Sequence, residues 1–460
     1  MRIPKVAVLF LLAICLVLYL TYTKRNHDNK SPATFLRHPL PLPAVPVVSG
    51  PKEVPVVSAP KEAPTPTAAE EGVSHRYGIM FDAGSTGTRI HVFKFLMQPN
   101  EPPKLAHESF KAIKPGLSAY ADDPDRCAEG IHQLLEVAES DVPREVWATT
   151  PLVLKATAGL RLLPGEKATH LLNKVKELFS ASPFLSSGDS VAIMDGTDEG
   201  MSAWITINFL TGSLHAADIP TVGMLDLGGG STQITFSPRD EKTVQTSPDD
   251  ITSFQMFNLT HTLYSHSYLG LGLMSARLAV LGGTEGEPLL PGQELLSPCL
   301  APNYRGTWEH AEVKYALKGQ KGPSYDGKRP EPMYEPCRIK VEKMLYKRVK
   351  KAEDLFNMEF YAFSYYYDRA VDLKLIDEKS GGSVTVGDYI VGAKKVCNNM
   401  TANSGDNPFL CLDLVYISVL LQELGFSTDK QFMLSRTIDG VETSWALGAT
   451  FHHLQTLHSL

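Results

Sequence analysis

Cysteine and tryptophan are scarce in this chain, at 6 and 4 of 460 residues, and positive charge is not in excess over the whole of it. No cysteines have the spacing of a zinc site, which argues against a structural metal. Lys and Arg (44) fall short of Asp and Glu (51), and the net charge of −7 leaves no footprint for nucleic acid or an anionic membrane surface. Long apolar runs are equally rare. Only Val6 to Tyr22, about 17 residues, approaches the length of a membrane span. The chain is therefore expected to cross a bilayer once at most. No small-x-small cleavage site follows Leu20, which favours an uncleaved signal anchor over residues 1–23. A folded domain of this size behind such an anchor is expected on the lumenal side.

What is present reads as a folded globular protein, with 43% apolar and 21% charged residues. Residues 24–75 form a proline-rich stalk that repeats itself, Val45 to Glu53 and then Val54 to Glu62. Regular proline favours an extended spacer over a packed domain. Cys299, Cys337, Cys397 and Cys411 lie in the C-terminal half, and Cys127 stands apart. Four cysteines allow three pairings; local pairing, Cys299–Cys337 and Cys397–Cys411, is the economical one. Asn29, Asn258 and Asn399 open glycosylation sequons, consistent with an oxidising lumen.

One phrase occurs twice. Ile79-Met80-Phe81-Asp82-Ala83-Gly84-Ser85-Thr86-Gly87-Thr88-Arg89 returns in altered form as Met224-Leu225-Asp226-Leu227-Gly228-Gly229-Gly230-Ser231-Thr232-Gln233. Each reads as strand, tight turn, strand. Glycine lets backbone N–H groups approach an anion closely, and an Asp at a strand end can hold a cation. Between and after the phrases, strands at Leu152–Ala156 and Val191–Met194 alternate with helices around Cys127–Glu139, Glu166–Phe179 and Met201–Phe209. Further helical stretches are expected at 341–351, 360–374 and 411–424, with a final amphipathic helix begun by Glu442–Ala449. The alternation predicts an α/β protein, and the duplicated loop predicts two similar lobes clamping one polyphosphate.

The parts match phosphoryl transfer, which needs positioning, charge stabilisation and one group to orient or deprotonate the nucleophile. Gly84, Ser85, Thr86, Gly87 and Thr88 can wrap phosphate from one side, with Arg89 adding a fixed charge. Gly228, Gly229, Gly230, Ser231 and Thr232 can do so from the other. Asp82 and Asp226, as a matched pair, can hold the water shell of Mg²⁺ or Ca²⁺. In Lys155–Arg161 a small hydroxyl residue, Thr157, stands just past a strand, where active-site groups of α/β proteins collect. Glu199, in Asp195–Gly200, can take a proton from water that Ser231 and Gln233 orient. Of the aromatic run Phe360–Tyr367, one or two rings can stack on a nucleobase, with Tyr365 and Tyr366 the candidates.

With these residues assembled, the chain resembles the ectonucleoside triphosphate diphosphohydrolase (apyrase) family. The segments Asp82–Arg89, Lys155–Arg161, Asp195–Gly200, Asp226–Gln233 and Glu442–Gly448 carry the resemblance, which spans about residues 76–455. It implies two actin-like (ribonuclease-H-like) lobes with the active site in the cleft between them. Residues 76–207 would form lobe I, completed by a C-terminal helix within 437–460, and residues 208–436 lobe II. Glu199 would be the catalytic base, with Thr157, Ser231 and Gln233 around phosphate and water, and Asp82 and Asp226 holding Ca²⁺ or Mg²⁺ through waters. The single span and few cysteines look like the diphosphatase branch, which prefers nucleoside diphosphates such as GDP, IDP and UDP. A monomer in the Golgi or another secretory-pathway membrane is expected, or at the cell surface or released if the stalk is cut. The resemblance also supports the local disulfide pairing and leaves Cys127 a free thiol. Exopolyphosphatases carry similar loops, and a non-catalytic nucleotide-binding ectodomain is the other alternative. The lumenal features and the Lys155–Arg161 segment speak against the first, and the intact base and metal groups against the second.

Overall fold

Alternate residues of β1 (Ser74–Ala83) go to different cores: Ile79, Phe81 and Ala83 to one, Met80 to another. A strand pleats with a period of two, so a sheet buried on both faces must be apolar nearly throughout. The computed structural model of the chain describes residues 74–99, 101–214, 218–321, 332–401 and 407–458. The apolar run Val6–Tyr22, the Asn29 sequon and all but the last two residues of the stalk lie outside them. Among the described residues no helix is long and apolar enough to cross a membrane.

β1 pairs antiparallel with β2 (Thr88–Met97), which pairs antiparallel with β3 (Lys104–Ile113). On its other side β1 runs parallel to β4 (Leu152–Ala156), and β4 parallel to β5 (Val191–Ile193). The sheet order is β3-β2-β1-β4-β5. The second half repeats this plan with β6 (Gly223–Leu227), β7 (Ser231–Phe236), β8 (Ile251–Met256) and β9 (Leu259–Leu269). A small separate sheet, β10 (Leu295–Ser297), β11 (Arg305–His310) and β12 (Val313–Gly319), precedes β13 (Phe360–Ser364), β14 (Gly382–Thr385) and β15 (Gln431–Leu434). The large sheet runs β14-β15-β13-β6-β7-β9-β8. Inside it, β9-β7-β6-β13-β15 has the same antiparallel, antiparallel, parallel, parallel sequence as the first sheet. The duplication read from the loops is therefore a duplication of the whole sheet.

The outer face of the first sheet packs on the helices Cys127–Asp141 and Lys167–Ser180 through Leu134, Leu171 and Phe179. The outer face of the second packs on Leu410–Leu424 and its neighbours through Leu225 and Leu227. Between the two sheets runs a helix pair, Gly196–Leu210 and Ala446–His458. Its core joins Met80, Phe93 and Val153 of one sheet to Met224, Leu263 and Phe363 of the other through Trp204, Trp445 and Leu447. Gly448 is required there: a Cβ would stand 2.0 Å from the Ser202 carbonyl oxygen, and its N–H donates to Thr206 Oγ1 at 2.9 Å.

Two helices differ from the sequence reading. Phe360–Ser364 is a strand, and only Tyr365–Asp372 is helical. The helix expected at 341–351 is Tyr334–Leu345, with Pro336 in its first turn, where a missing N–H costs nothing. The disulfides are Cys299–Cys337 and Cys397–Cys411, and Cys127 is free and buried. Cys397 ends one helix and Cys411 begins the next, 14 residues on. Closing a loop of that length stabilises by about 3 kcal/mol in the chain-entropy model. A Cys397→Ser/Cys411→Ser variant is expected to melt several degrees below wild type; an equal melting temperature would show the bridge to be dispensable.

Candidate active site

The functional side chains gather at the carboxyl ends of β1, β4, β6 and β13, where open α/β sheets bind ligands. In both hairpins an Asp at the strand end faces the residue seven positions later: Asp82 pairs with Arg89, and Asp226 with Gln233. The turns also match. Gly84 N–H donates to Gly87 O at 3.0 Å, and Gly228 N–H to Ser231 O at 3.1 Å. The second loop is tied from behind. Gly228 O accepts from Leu273 N–H (2.8 Å), Gly229 O from Met274 (2.9 Å) and Gly230 O from Gly270 (2.8 Å). With three successive carbonyls so engaged, the loop is left with N–H groups to offer an anion.

The cleft has a volume of about 530 Å³, and both loops line it. Of the predicted residues, Asp82, Gly84, Ser85, Thr86, Arg89, Thr157, Glu199, Asp226, Gly228, Gly229, Gly230, Ser231 and Tyr365 form its wall. Gly87, Thr88, Thr232 and Gln233 are buried and do not line it; Thr232 Oγ1 donates to Asp226 O at 2.8 Å. Gly229 faces Ser85 so closely that a Cβ would lie 2.2 Å from its Oγ. Tyr366 does not join them. It is fully buried in the core of the second half and offers no face to a ligand, whereas its neighbour Tyr365 reaches the wall and bonds Thr86. Asn258, in the turn between β8 and β9, and Asn399 are both exposed. A larger groove of about 850 Å³ lies elsewhere, between Lys351–Phe360 and Gly425–Met433, but contains none of these groups.

Glu199 owes its place to a cap. Asp195 accepts from Thr197 N–H at 2.8 Å and starts the helix Gly196–Leu210, so Glu199 falls in the first turn. The residue is 7% exposed, and its carboxylate receives Arg161 Nη2 at 2.5 Å. Burial pushes its pKa up to about 8; Arg161 opposes this, while the charges of Asp226 and Asp82 add to it. Ser231 Oγ receives Gln233 Nε2 at 2.8 Å and Arg161 Nη2 at 3.3 Å. With both lone pairs engaged, its own O–H is left to donate into the cleft. Gln233 Oε1 is buried without a partner, a further acceptor held ready. Thr157 precedes the short helix Ala158–Arg161 and makes no cap bond with its side chain.

Two buried acids fit a hydrated cation. Asp82 Oδ1 and Asp226 Oδ1 are both buried without hydrogen-bond partners. Asp82 Oδ2 holds Arg89 Nη1 at 2.9 Å, while Asp226 has the hydroxyl of Ser364. Burial and the charge of Asp82 raise the Asp226 pKa against the pull of Ser364 and Arg89. A divalent ion between the two would relieve both the lost solvation and the repulsion. Ser364 itself sits at φ 57° and ψ −122°, the kind of backbone strain that collects at functional sites.

Several cleft groups escaped the sequence reading. Arg161 lay inside a noted segment but had no task. Arg369 lines the wall, stacks over Tyr365 at 5.8 Å and is backed by Asp413, fully buried, at 3.1 Å. Asp368 and Arg436 complete the wall, as does Glu442, the first residue of the segment Glu442–Gly448, which carried the resemblance without a role for this carboxylate.

Two ribonuclease-H-like halves, each turning a glycine loop and one buried acid into a shared cleft, define an actin-like enzyme that works on phosphate groups. Within that class the chain belongs to the GDA1/CD39 (nucleoside phosphatase) family, which it matches over residues 68–459. It is 58% identical over 391 residues to ectonucleoside triphosphate diphosphohydrolase 6 of Homo sapiens, covering 85% of this chain and 79% of that protein. It is 50% identical over 384 residues to nucleoside diphosphate phosphatase ENTPD5 of Homo sapiens, covering 83% and 88%. Its fold is also that of nucleoside triphosphate hydrolases from Neospora caninum: the TM-score is 0.58 at 15% identity, over 84% of this chain and 93% of that one. The chain is thus a hydrolase of nucleotide phosphates.

Proposed function

We propose that this enzyme cleaves the terminal phosphate of nucleoside diphosphates, and triphosphates less well, in a reaction dependent on Ca²⁺ or Mg²⁺. The observation that carries the reading is Glu199: a buried carboxylate of raised proton affinity in the cleft that both phosphate loops line, sharing Arg161 Nη2 with the Ser231 hydroxyl. A base poised near the working pH takes a proton most effectively. Water attacks phosphorus in line with the leaving phosphate oxygen and gives its proton to Glu199; Ser231 and Gln233 orient it, and Thr157 contacts the attacked phosphate. Gly84–Thr88 and Gly228–Thr232 hold the phosphates by N–H groups and hydroxyls, and Arg89 adds charge. Asp82 and Asp226 would hold the cation through water, and its charge would offset that of the phosphates. Tyr365 is the base-contacting ring. The similarity to a protein named as a diphosphate phosphatase supports the substrate preference.

Residues 1–23 are proposed to anchor a lumenal, monomeric catalytic domain in a Golgi or other secretory-pathway membrane, with glycans on Asn258 and Asn399. Phosphate release by the soluble domain from GDP, IDP, UDP and their triphosphates tests the activity. Diphosphates are expected to lead, and chelator to stop the reaction. Release from long-chain polyphosphate but from no nucleotide would reverse the reading.

A further inference from the structure

Beneath the first phosphate loop lie three ionisable side chains, His91, Glu108 and Glu442, that the reaction described above does not use. His91 of β2 is fully buried, with the rings of Phe93 and Phe110 at 5.7 and 5.1 Å. Its Nδ1 stands 2.7 Å from Glu108 Oε1 of β3, whose side chain is 2% exposed. The other Glu108 oxygen accepts the backbone N–H of Glu442 at 2.7 Å. His91 Nε2 lies 3.7 Å from Glu442 Oε2, and neither atom has a hydrogen-bond partner. The Glu442 carboxylate forms part of the cleft wall and acts on Arg89, which is bonded to Asp82. Acidic and basic side chains therefore alternate from the interior to the loop: Glu108, His91, Glu442, Arg89, Asp82.

The ionisable groups acting on His91 are Glu108, Glu442 and Asp82. Burial, the largest effect, opposes a charged imidazole, but the Glu108 hydrogen bond and the three carboxylates together overcome it, and proton affinity rises. Arg89 faces two carboxylates, Asp82 by a hydrogen bond and Glu442 through space, so where the guanidinium sits depends on how each of the two is otherwise compensated. His91 is the basic group behind Glu442, its Nε2 3.7 Å from Oε2.

We propose that His91 is a positioning residue for the first phosphate loop: it balances Glu442 from behind and thereby leaves Arg89 on Asp82, aimed at the bound phosphate. The role rests on the hydrolase reading and concerns substrate binding, since Glu199 lies on another element and keeps its own partner. Without the His91 ring behind it, Glu442 competes for Arg89 and draws it off the loop.

The test is a double-mutant cycle with GDP and Mg²⁺, using His91→Gln, Glu442→Gln and both together. KM is expected to rise about tenfold in His91→Gln with kcat changed less than about twofold. In the Glu442→Gln background, where no surplus charge is left to balance, the same change should matter by less than about threefold. An unmoved KM, or an equal loss in both backgrounds, overturns the proposal. If His91→Gln does not fold, Glu108→Gln, which loosens the imidazole from the outer strand, must raise KM in the same sense, and no change there is equally decisive. Calorimetric Kd values for GDP in a Glu199→Gln background read the same shift without turnover. A failure of hydrolysis in the wild type is thereby kept apart from a failure of this proposal.

Discussion

Glu199→Gln loses phosphate release by about 10²–10⁴-fold, the usual share of a general base, while its fold survives. The substitution keeps shape and leaves an acceptor for Arg161, which bonds the carboxylate at 2.5 Å, so little is disturbed except the ability to take a proton. The pH behaviour follows from the same residue. Its pKa is pushed up from 4.5 to about 8, first by burial. The base form therefore gains population as pH rises through that value, and the rate should climb with it until another group intervenes. A nearby divalent cation favours the charged form and moves the rise to lower pH. Stability runs the other way. A carboxyl whose folded pKa lies above its unfolded value contributes stability that is complete below about 4.5 and is lost as pH climbs towards about 8. Metal-free Glu199→Gln should accordingly gain on wild type, by on the order of a few kcal/mol, between pH 5 and pH 8.5 in thermal or denaturant melts. Near-normal turnover in the variant, or a wild-type rate with no rise anywhere between pH 4.5 and pH 8, would remove Glu199 from the role of base.

How much of this was readable from the chain depends on whether each signal is local. The paired loops are local, since glycine, a strand-end Asp and flanking alternation all lie within a dozen residues. Because the offset from Asp82 to Arg89 equals that from Asp226 to Gln233, even the cross-strand partnership was latent in the sequence. β13 was missed for a physical reason. Phe360 and Ala362 enter one core and Phe363 another, so both faces are apolar and the period of two is erased. Three tyrosines in a row then gave no contrast from which to set the helix register, and Tyr366 rather than Tyr365 turned inward. The link from Glu108 to Glu442 spans 334 residues and leaves no pattern in either neighbourhood. Arg161 is an intermediate case: a single helical turn after Thr157 carries it to Glu199, but its partner lies 38 residues on and belongs to another element.

Asp226→Ala and Asp82→Ala are expected to raise the divalent-cation requirement by about 10–100-fold, the usual cost of losing a group that holds a metal through its bound water. The two should differ. Arg89 bonds Asp82 directly at 2.9 Å, whereas Asp226 is bonded by the Ser364 hydroxyl and feels Arg89 only through space. Removing Asp226 takes away the less compensated charge, and its variant should need more metal than the Asp82 variant. Asp82→Ala, in turn, frees Arg89 to face Glu442 and should weaken nucleotide binding as well. A measurement in chelator separates the metal role from damage to the fold. Burial, chiefly, raises the Asp226 pKa, so without metal its ionisation opposes folding above the ordinary carboxylate range. Asp226→Asn should then be more stable than wild type at pH 8 in chelator, and lose that advantage when Ca²⁺ or Mg²⁺ is added, because the ion stabilises only the wild-type pair. Unchanged metal titrations in both alanine variants, or an Asp226→Asn advantage that persists undiminished in saturating metal, would mean that the two acids do not share a cation.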